Sequence, residues 1–288
     1  MKLKEVIKTT ALIIAVQLSI ISSAIAQQLK VPAPSPLQTI DQAFGLSNLK
    51  IEYSRPSVKS RVIFGDLVPY GKIWRTGANA STKITFSDDV KIAGMPLIAG
   101  SYAIYSIPAV DSWDILIYKD LTLAGNVAEY KTENEVLRFK VKPTALAAKV
   151  ETFTINFADM TPTSTNIELL WEKTRIAFNV TTEIDEKVMK NIDASLEKDT
   201  RPYFQAAGYY FDNGKDLATA LKWTNIAIES NPKAYWMFHL KAKIQKKMKD
   251  TKGAIETAQH SIELAKEDKN NDYVKLNEKL IDDVKKGN

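Results

Sequence analysis

The chain has 288 residues, 45% of them hydrophobic and 25% charged, a composition that fits neither disorder nor a membrane-embedded bundle and predicts one or two globular domains. Lysine and arginine number 39 against 34 aspartates and glutamates, a net charge of +5 that becomes +3 (36 against 33) without residues 1–26. Either value is too mild to predict a polyanionic partner. The absence of cysteine excludes thiol nucleophiles, iron–sulfur clusters, cysteinyl zinc sites and a lipidated cysteine anchor.

Residues 1–26 open with Lys2, Lys4 and Lys8, continue through an apolar stretch from Thr10 to Ser22, and end on Ala24-Ile25-Ala26. This is the pattern of a secretory signal peptide cleaved after Ala26. The apolar run is broken by Gln17, Ser19, Ser22 and Ser23 and falls short of the roughly 20 apolar residues that a membrane span needs. The sequence therefore predicts a periplasmic or extracellular mature chain, residues 27–288, with no stable membrane anchor. That compartment argues against kinases and nucleic-acid binders. Residues 27–39 form a Pro-rich linker, in which Pro32, Pro34 and Pro36 hold the backbone extended.

From residue 40 to 182 the hydrophobic period is two. Thr82, Ile84 and Phe86 share a face, as do Phe153, Ile155 and Phe157, then Ile167, Leu169 and Trp171, then Ile176, Phe178 and Val180. Turn signals divide the region into about nine or ten short strands with no helical crossover, which predicts an antiparallel β-sandwich. Glu172-Lys173-Thr174 is expected to turn the last hairpin.

After Thr182 the period becomes helical, beginning with Ile184, Val188, Ile192 and Leu196, so the fold class is α+β multidomain, with residues 183–288 all helix. An offset of 34 residues aligns Asp216 with Asp250, Ala220 with Ala254, Leu221 with Ile255, Ile228 with Ile262 and Glu229 with Glu263. A repeat of that length marks an array of helical hairpins. The unit at about 201–234, with Phe204, Ala207, Gly208, Phe211, Ala220, Ala227 and Pro232, resembles a tetratricopeptide repeat. Its small residues are expected where two helices press together. The unit at about 235–268 departs from the pattern at Ala242, Gln245 and Lys266. Tyr273, Leu276, Leu280, Ile281 and Val284 predict a capping helix. Two repeats are fewer than the three or so that such an array needs alone, so it is expected to lean on the preceding helix, the cap or the β-domain.

The densest motif runs Ser54-Arg55-Pro56-Ser57, Arg61-Val62-Ile63-Phe64-Gly65, Leu67-Val68-Pro69-Tyr70-Gly71 and Trp74-Arg75-Thr76-Gly77-Ala78-Asn79. At these residues the chain resembles a family of secreted bacterial proteins, domain of unknown function 2911, over about residues 40–180. The family pattern is R-P-x-x-x-G-R-x-x-F-G-x-L-x-P-Y-G-x-x-W-R-x-G-A-N-x-x-T. Ser60 replaces a family glycine, and Ala124-Gly125 stands where Trp-Gly is expected. The resemblance implies a fold and a compartment but no activity.

Physically, two readings of the segment are open. On one, Arg55, Arg61 and Arg75 converge with Tyr70, Trp74 and Asn79 in a ligand-binding pocket, because guanidinium forks grip carboxylate or phosphate and flat aromatics stack on sugars. Alternatively, Tyr70 and Trp74 fill the core, the arginines bond loop carbonyls, and Gly77 and Asn79 serve left-handed turns.

No catalytic residue, metal ligand or cofactor is assigned. The β-region has neither histidine nor cysteine, so the usual nucleophile–histidine arrangements cannot form there. Ser195-Leu196-Glu197-Lys198 has S-x-x-K spacing without its partner motifs. Asp88, Asp89, Asp111 and Asp114 are expected at hairpin turns, where acidic residues are usually solvated, and His239 and His260 are too isolated in sequence for a metal site. Lys241, Lys243, Lys246, Lys247, Lys249 and Lys252 read as a solvated helix face rather than a site for acidic partners. Aromatic residues between Phe204 and Phe238 exceed what two helix pairs need inside, leaving some to face the β-domain or a peptide. The leading expectation is an exported binding or scaffold protein with a protein partner on its helical repeats. A glycan or anionic small-ligand receptor is the alternative, and a carboxylate-dependent hydrolase the third.

Overall fold

The structure, a computed structural model, describes residues 31–123, 125–197 and 202–287. The expected signal peptide and cleavage site, Ala124 and Lys198 lie outside the described residues. The chain divides into two compact units, one up to Glu183 and one from Ile184.

The first unit has ten strands: β1 (Leu37–Phe44), β2 (Ser47–Ser54), β3 (Ala78–Phe86), β4 (Val90–Ile92), β5 (Met95–Leu97), β6 (Gly100–Ile107), β7 (Trp113–Tyr118), β8 (Glu135–Val141), β9 (Thr144–Ala158) and β10 (Ser164–Thr181). They form a six-stranded sheet in the order β1-β2-β3-β6-β7-β8 and a four-stranded sheet in the order β5-β4-β10-β9. Every strand pairing is antiparallel. Alternation buries Leu49, Ile51 and Tyr53 of β2, Ile84 and Phe86 of β3, and Trp113, Ile115 and Ile117 of β7. These meet Phe153, Ile155, Ile167, Leu169, Trp171, Ile176, Phe178 and Val180 of the other sheet in a single hydrophobic cluster. At about 25 cal/mol per Å² of apolar surface removed from water, this cluster is the main source of the unit's stability.

The expected turn at Glu172-Lys173-Thr174 is not a turn. The inward residues have odd numbers up to Trp171 and even numbers from Ile176, which suggests two strands. Instead β10 runs through without a break, and its register against β9 shifts between Leu170 and Glu172 and again between Glu172 and Thr174. Glu172 has φ 52°. An irregularity of this kind inserts an unpaired residue and reverses which face each later side chain takes, so both triplets reach the same core. The hairpin turn lies instead between Ala158 and Ser164. Asp114, expected at a turn, lies within β7 and pairs with Lys140 at 2.6 Å.

The second unit contains α1 (Asp185–Glu197), α2 (Tyr203–Asp212), α3 (Leu217–Ser230), α4 (Tyr235–Lys247), α5 (Thr251–Glu267) and α6 (Asn271–Lys285). Asp185 of α1 accepts from Tyr209 Oη at 2.8 Å and pairs with Lys215 at 2.8 Å. The 34-residue offset recurs as local chemistry. Asp216 caps α3 by accepting from Thr219 N at 2.7 Å, and Asp250 caps α5 by accepting from Gly253 N at 2.9 Å. Ala220 and Ala254, one turn into each helix, are fully buried. Gly208, expected at a close helix contact, has open space where a Cβ would stand, and the fully buried neighbour is Ala207. Gln245, where the repeat pattern expects an aromatic residue, donates to Asp250 Oδ2 at 3.0 Å and so ties α4 to the cap of α5. A Cβ on Gly253 would collide with both side chains.

Candidate functional site

The motif segment connects β2 to β3 and is bonded along its length to the body of the β unit. Arg55 donates from Nε to the Phe153 carbonyl at 3.1 Å and from Nη2 to Thr154 Oγ1 at 2.9 Å. The backbone beside it adds Phe153 N to Pro56 O at 2.8 Å and Val58 N to Glu151 O at 2.8 Å. Arg61 closes its own turn, donating to Val58 O at 3.0 Å and Ser57 O at 2.6 Å. In that turn Ser60, at the family's glycine position, has φ 59°, the left-handed region that glycine occupies without steric cost. Trp74 donates from Nε1 to Gly77 O at 3.1 Å. Its ring stacks on Trp171 at 5.8 Å and meets Phe64, Trp113 and Phe153 edge-on. Asn79, at φ 59°, donates to Ser35 O and Ser54 Oγ at 3.2 Å each.

Tyr70 is 44% exposed, with its ring against Gly65, where an added Cβ would stand 2.9 Å from Cε2. Arg75 is half-buried, and its Nε has no hydrogen-bond partner. A Cβ on Gly125 would approach its Nη1 to 3.0 Å. Four of the six candidate residues thus direct their donors onto the β unit's own backbone and side chains, and none of the six lines the cavities described below.

The outer face of the six-stranded sheet carries a feature that the sequence reading did not reach. Ala103, Tyr105, Leu116 and Tyr118 are fully buried there, beneath the segment that leads to β8. Tyr130 of that segment stacks on Tyr118 at 4.5 Å and meets Tyr105 edge-on at 5.4 Å. Tyr118 Oη accepts from Lys131 N at 3.1 Å and Asn134 Nδ2 at 3.3 Å. Burial, then the neighbouring Glu135 carboxylate, pushes the Tyr130 phenol well above its ordinary value, so it stays neutral and donates to Glu135 Oε1 at 3.1 Å. This patch holds a loop down. Burial raises the phenols of Tyr105 and Tyr130, the opposite of what nucleophile activation requires.

An open cavity of about 180 Å³ lies beside Tyr53, Ser54 and Lys83 in the β unit, and one of about 450 Å³ beside Trp236 and Leu264 in the helical unit. Much larger is a groove of about 910 Å³ bounded by the end of α2, by α4 and by α6. Phe211, Leu276, Leu280 and Val284 give it apolar surface, and Lys243, Lys246, Lys247, Lys249 and Lys279 give it charge, against Asp283 as the one acidic lining residue. Lys243 and Lys247 hold their ammonium groups 4.7 and 5.0 Å from the centre of the Phe211 ring. Lys246 lies 3.8 Å from Asp283. Four of the six lysines read in sequence as a solvated face therefore converge on one groove, where Lys279 joins them. A pointer was present in the i, i+4 spacing of Lys243 and Lys247, but the residues opposite them come from α2 and α6.

His239 also lines this groove, and a chain of hydrogen bonds fixes its tautomer. Ser261 Oγ donates to Tyr235 O at 2.7 Å and accepts from Asn277 Nδ2 at 2.9 Å, and that amide nitrogen also donates to Tyr273 O at 2.8 Å. Asn277 Oδ1 is then an acceptor, so His239 Nδ1, 2.8 Å away, carries the proton. Burial holds the His239 imidazole below its ordinary pKa, opposed by the Asn277 bond and reinforced by Lys243. Most of the aromatic excess is taken up inside the unit: Tyr210 packs on Trp223, and Tyr235 on Trp236 and Tyr273. Among the described residues, no helix is long and apolar enough to cross a membrane, and no group of three His, Asp or Glu side chains could share a metal ion.

The molecule is thus an α+β protein with two antiparallel sheets followed by six helices. The family model described as "Protein of unknown function (DUF2911)" matches residues 35–180, just over half of the chain, and the chain belongs to that family. Neither the curated proteins nor the solved structures yield a match.

Proposed function

We propose that this is an exported binding or scaffold protein, periplasmic or extracellular, that holds a protein partner on its helical unit. The groove between α2, α4 and α6 carries the reading. It is concave and partly apolar, and several of its lysines have no acidic partner among the described residues, which are the features of a recognition surface. On this reading the helices are tetratricopeptide-like hairpins. The equivalent aspartate caps of α3 and α5 and the buried Ala220 and Ala254 support that. The ten strands form a β-sandwich around the shared core, with the family motif as its internal fastening. Export rests on the pattern of residues 1–26.

Site-specific photocrosslinking in the cell envelope tests the assignment. A photoreactive residue at Leu276, in the groove and 48% exposed, is expected to give one defined protein adduct. The same group at Ile98, 71% exposed on the β unit, is expected to give none. Adducts at Ile98 but not at Leu276 would move recognition to the β unit and end the helical reading.

A further inference from the structure

Resting on that assignment, we infer that the occupant of the α2–α4–α6 groove is an acidic amphipathic segment of a partner protein, with apolar anchors on one face and several carboxylates along its edges. Lys243, Lys247 and Lys279 lie on two different helices bordering the groove. Lys243 and Lys247 are one turn, about 6 Å, apart along α4. Their ammonium groups share the Phe211 ring while Lys279 stands on α6, so the charge lies on two walls of the groove. A single anionic headgroup calls for cations converging on one point, whereas a row of side-chain carboxylates matches cations distributed along two walls.

Part of this arrangement has an internal use. Lys246 and Lys247 lie in the last turn of α4, where cations offset the helix dipole, and Lys246 is close to Asp283. That accounts for neither Lys279 nor Lys243, which has no acidic partner among the described residues and rests its ammonium group over the Phe211 ring. The apolar floor supplies the second half of the match. Leu276, 48% exposed, lies one turn before Leu280, and together with Phe211 it offers a strip to residues spaced i, i+3 and i+4 on an incoming helix. A flat anionic membrane surface fits such a concave cleft poorly.

The test uses the full chain and a synthetic amphipathic peptide of about 16 residues carrying leucines at helical spacing and glutamates elsewhere. Its controls are the same peptide with every Glu replaced by Gln, and phosphatidylglycerol vesicles. The acidic peptide is expected to bind saturably and to weaken at least about tenfold in three settings: with the Gln peptide, between about 0.05 and about 0.5 M salt, and with the variant Lys243→Glu/Lys247→Glu. A cooperative thermal transition of the variant shows that it is folded. Equal binding of the Glu and Gln peptides would overturn the acidic specificity while leaving the groove assignment in place. Binding that survives the double variant would overturn the site. Binding of vesicles with no binding of peptide would replace the proposal with a membrane contact. If no peptide binds while photocrosslinking from Leu276 still gives a partner, the inference about its chemistry fails on its own.

Discussion

The two units use their cations in opposite ways. In the β unit, Arg55 and Arg61 make four hydrogen bonds to residues of that same unit, so the most conspicuous motif of the sequence is stitching. In the helical unit, five lysines line an open groove beside one aspartate, and the sequence there resembles an ordinary charged helix face. A guanidinium fork that satisfies carbonyls fixes a loop that has no ladder of its own. Ammonium groups left over apolar surface cost the fold little, because their stems cover that surface while their heads remain in water. Density of unusual residues therefore marked where this chain is fastened, and lysines beside exposed leucine mark where we propose that a partner attaches.

The largest effect that sharpens this contrast is expected at Trp74. Trp74→Ala removes the ring stacked on Trp171 and bordered by Phe64, Trp113 and Phe153, and should cost about 3–5 kcal/mol in chemical denaturation. Binding of the acidic peptide to the fraction that remains folded should be unchanged. Next comes Arg55→Met, which leaves the Phe153 carbonyl without its charged donor and should cost about 1–3 kcal/mol. A loss of partner binding without loss of stability at Arg55 would return the motif to the role of a ligand site. Lys243→Glu/Lys247→Glu, the variant that should lose the acidic peptide, should cost the helical unit about 1–2 kcal/mol, because two contacts with the Phe211 ring go and a charge at the end of α4 is reversed. Gly253→Ala should destabilise the helical unit by about 1 kcal/mol, because the new methyl displaces the Asp250 cap and the Gln245 bond.

A smaller effect concerns pH. The folded His239 has a pKa below its ordinary value, so the unfolded chain takes up that proton first as the solution is acidified. The contribution of the neutral ring is present above the ordinary imidazole value and is lost as pH falls through it toward the lowered one. Thermal melting of the helical unit should drop over that window in the native chain, and more shallowly in His239→Gln. Parallel profiles would show that burial does not hold the ring neutral.

Strand faces were legible in the sequence because alternation is local: Ile84 and Phe86, or Leu169 and Trp171, point inward wherever their strand is placed. The irregularity at Glu172 was not, since a change from odd to even inward positions looks the same whether the chain turns back or only bulges. The two helix caps were legible because Asp216 and Asp250 perform the same local act 34 residues apart. The tyrosine patch required the pairing of β6 with β7 and the return of Tyr130 onto it. The groove required three helices at once, with Phe211, Lys247 and Leu276 far apart in sequence. Positions set by register and long-range packing are the ones that periodicity cannot report.

We propose that recognition belongs to the helical groove and not to the family motif. Hydrogen exchange of the full chain with and without the acidic peptide addresses it in one measurement. Slower exchange is expected in fragments covering residues 239–249 and 276–284, with residues 54–79 unchanged. Protection confined to residues 54–79 would contradict the account.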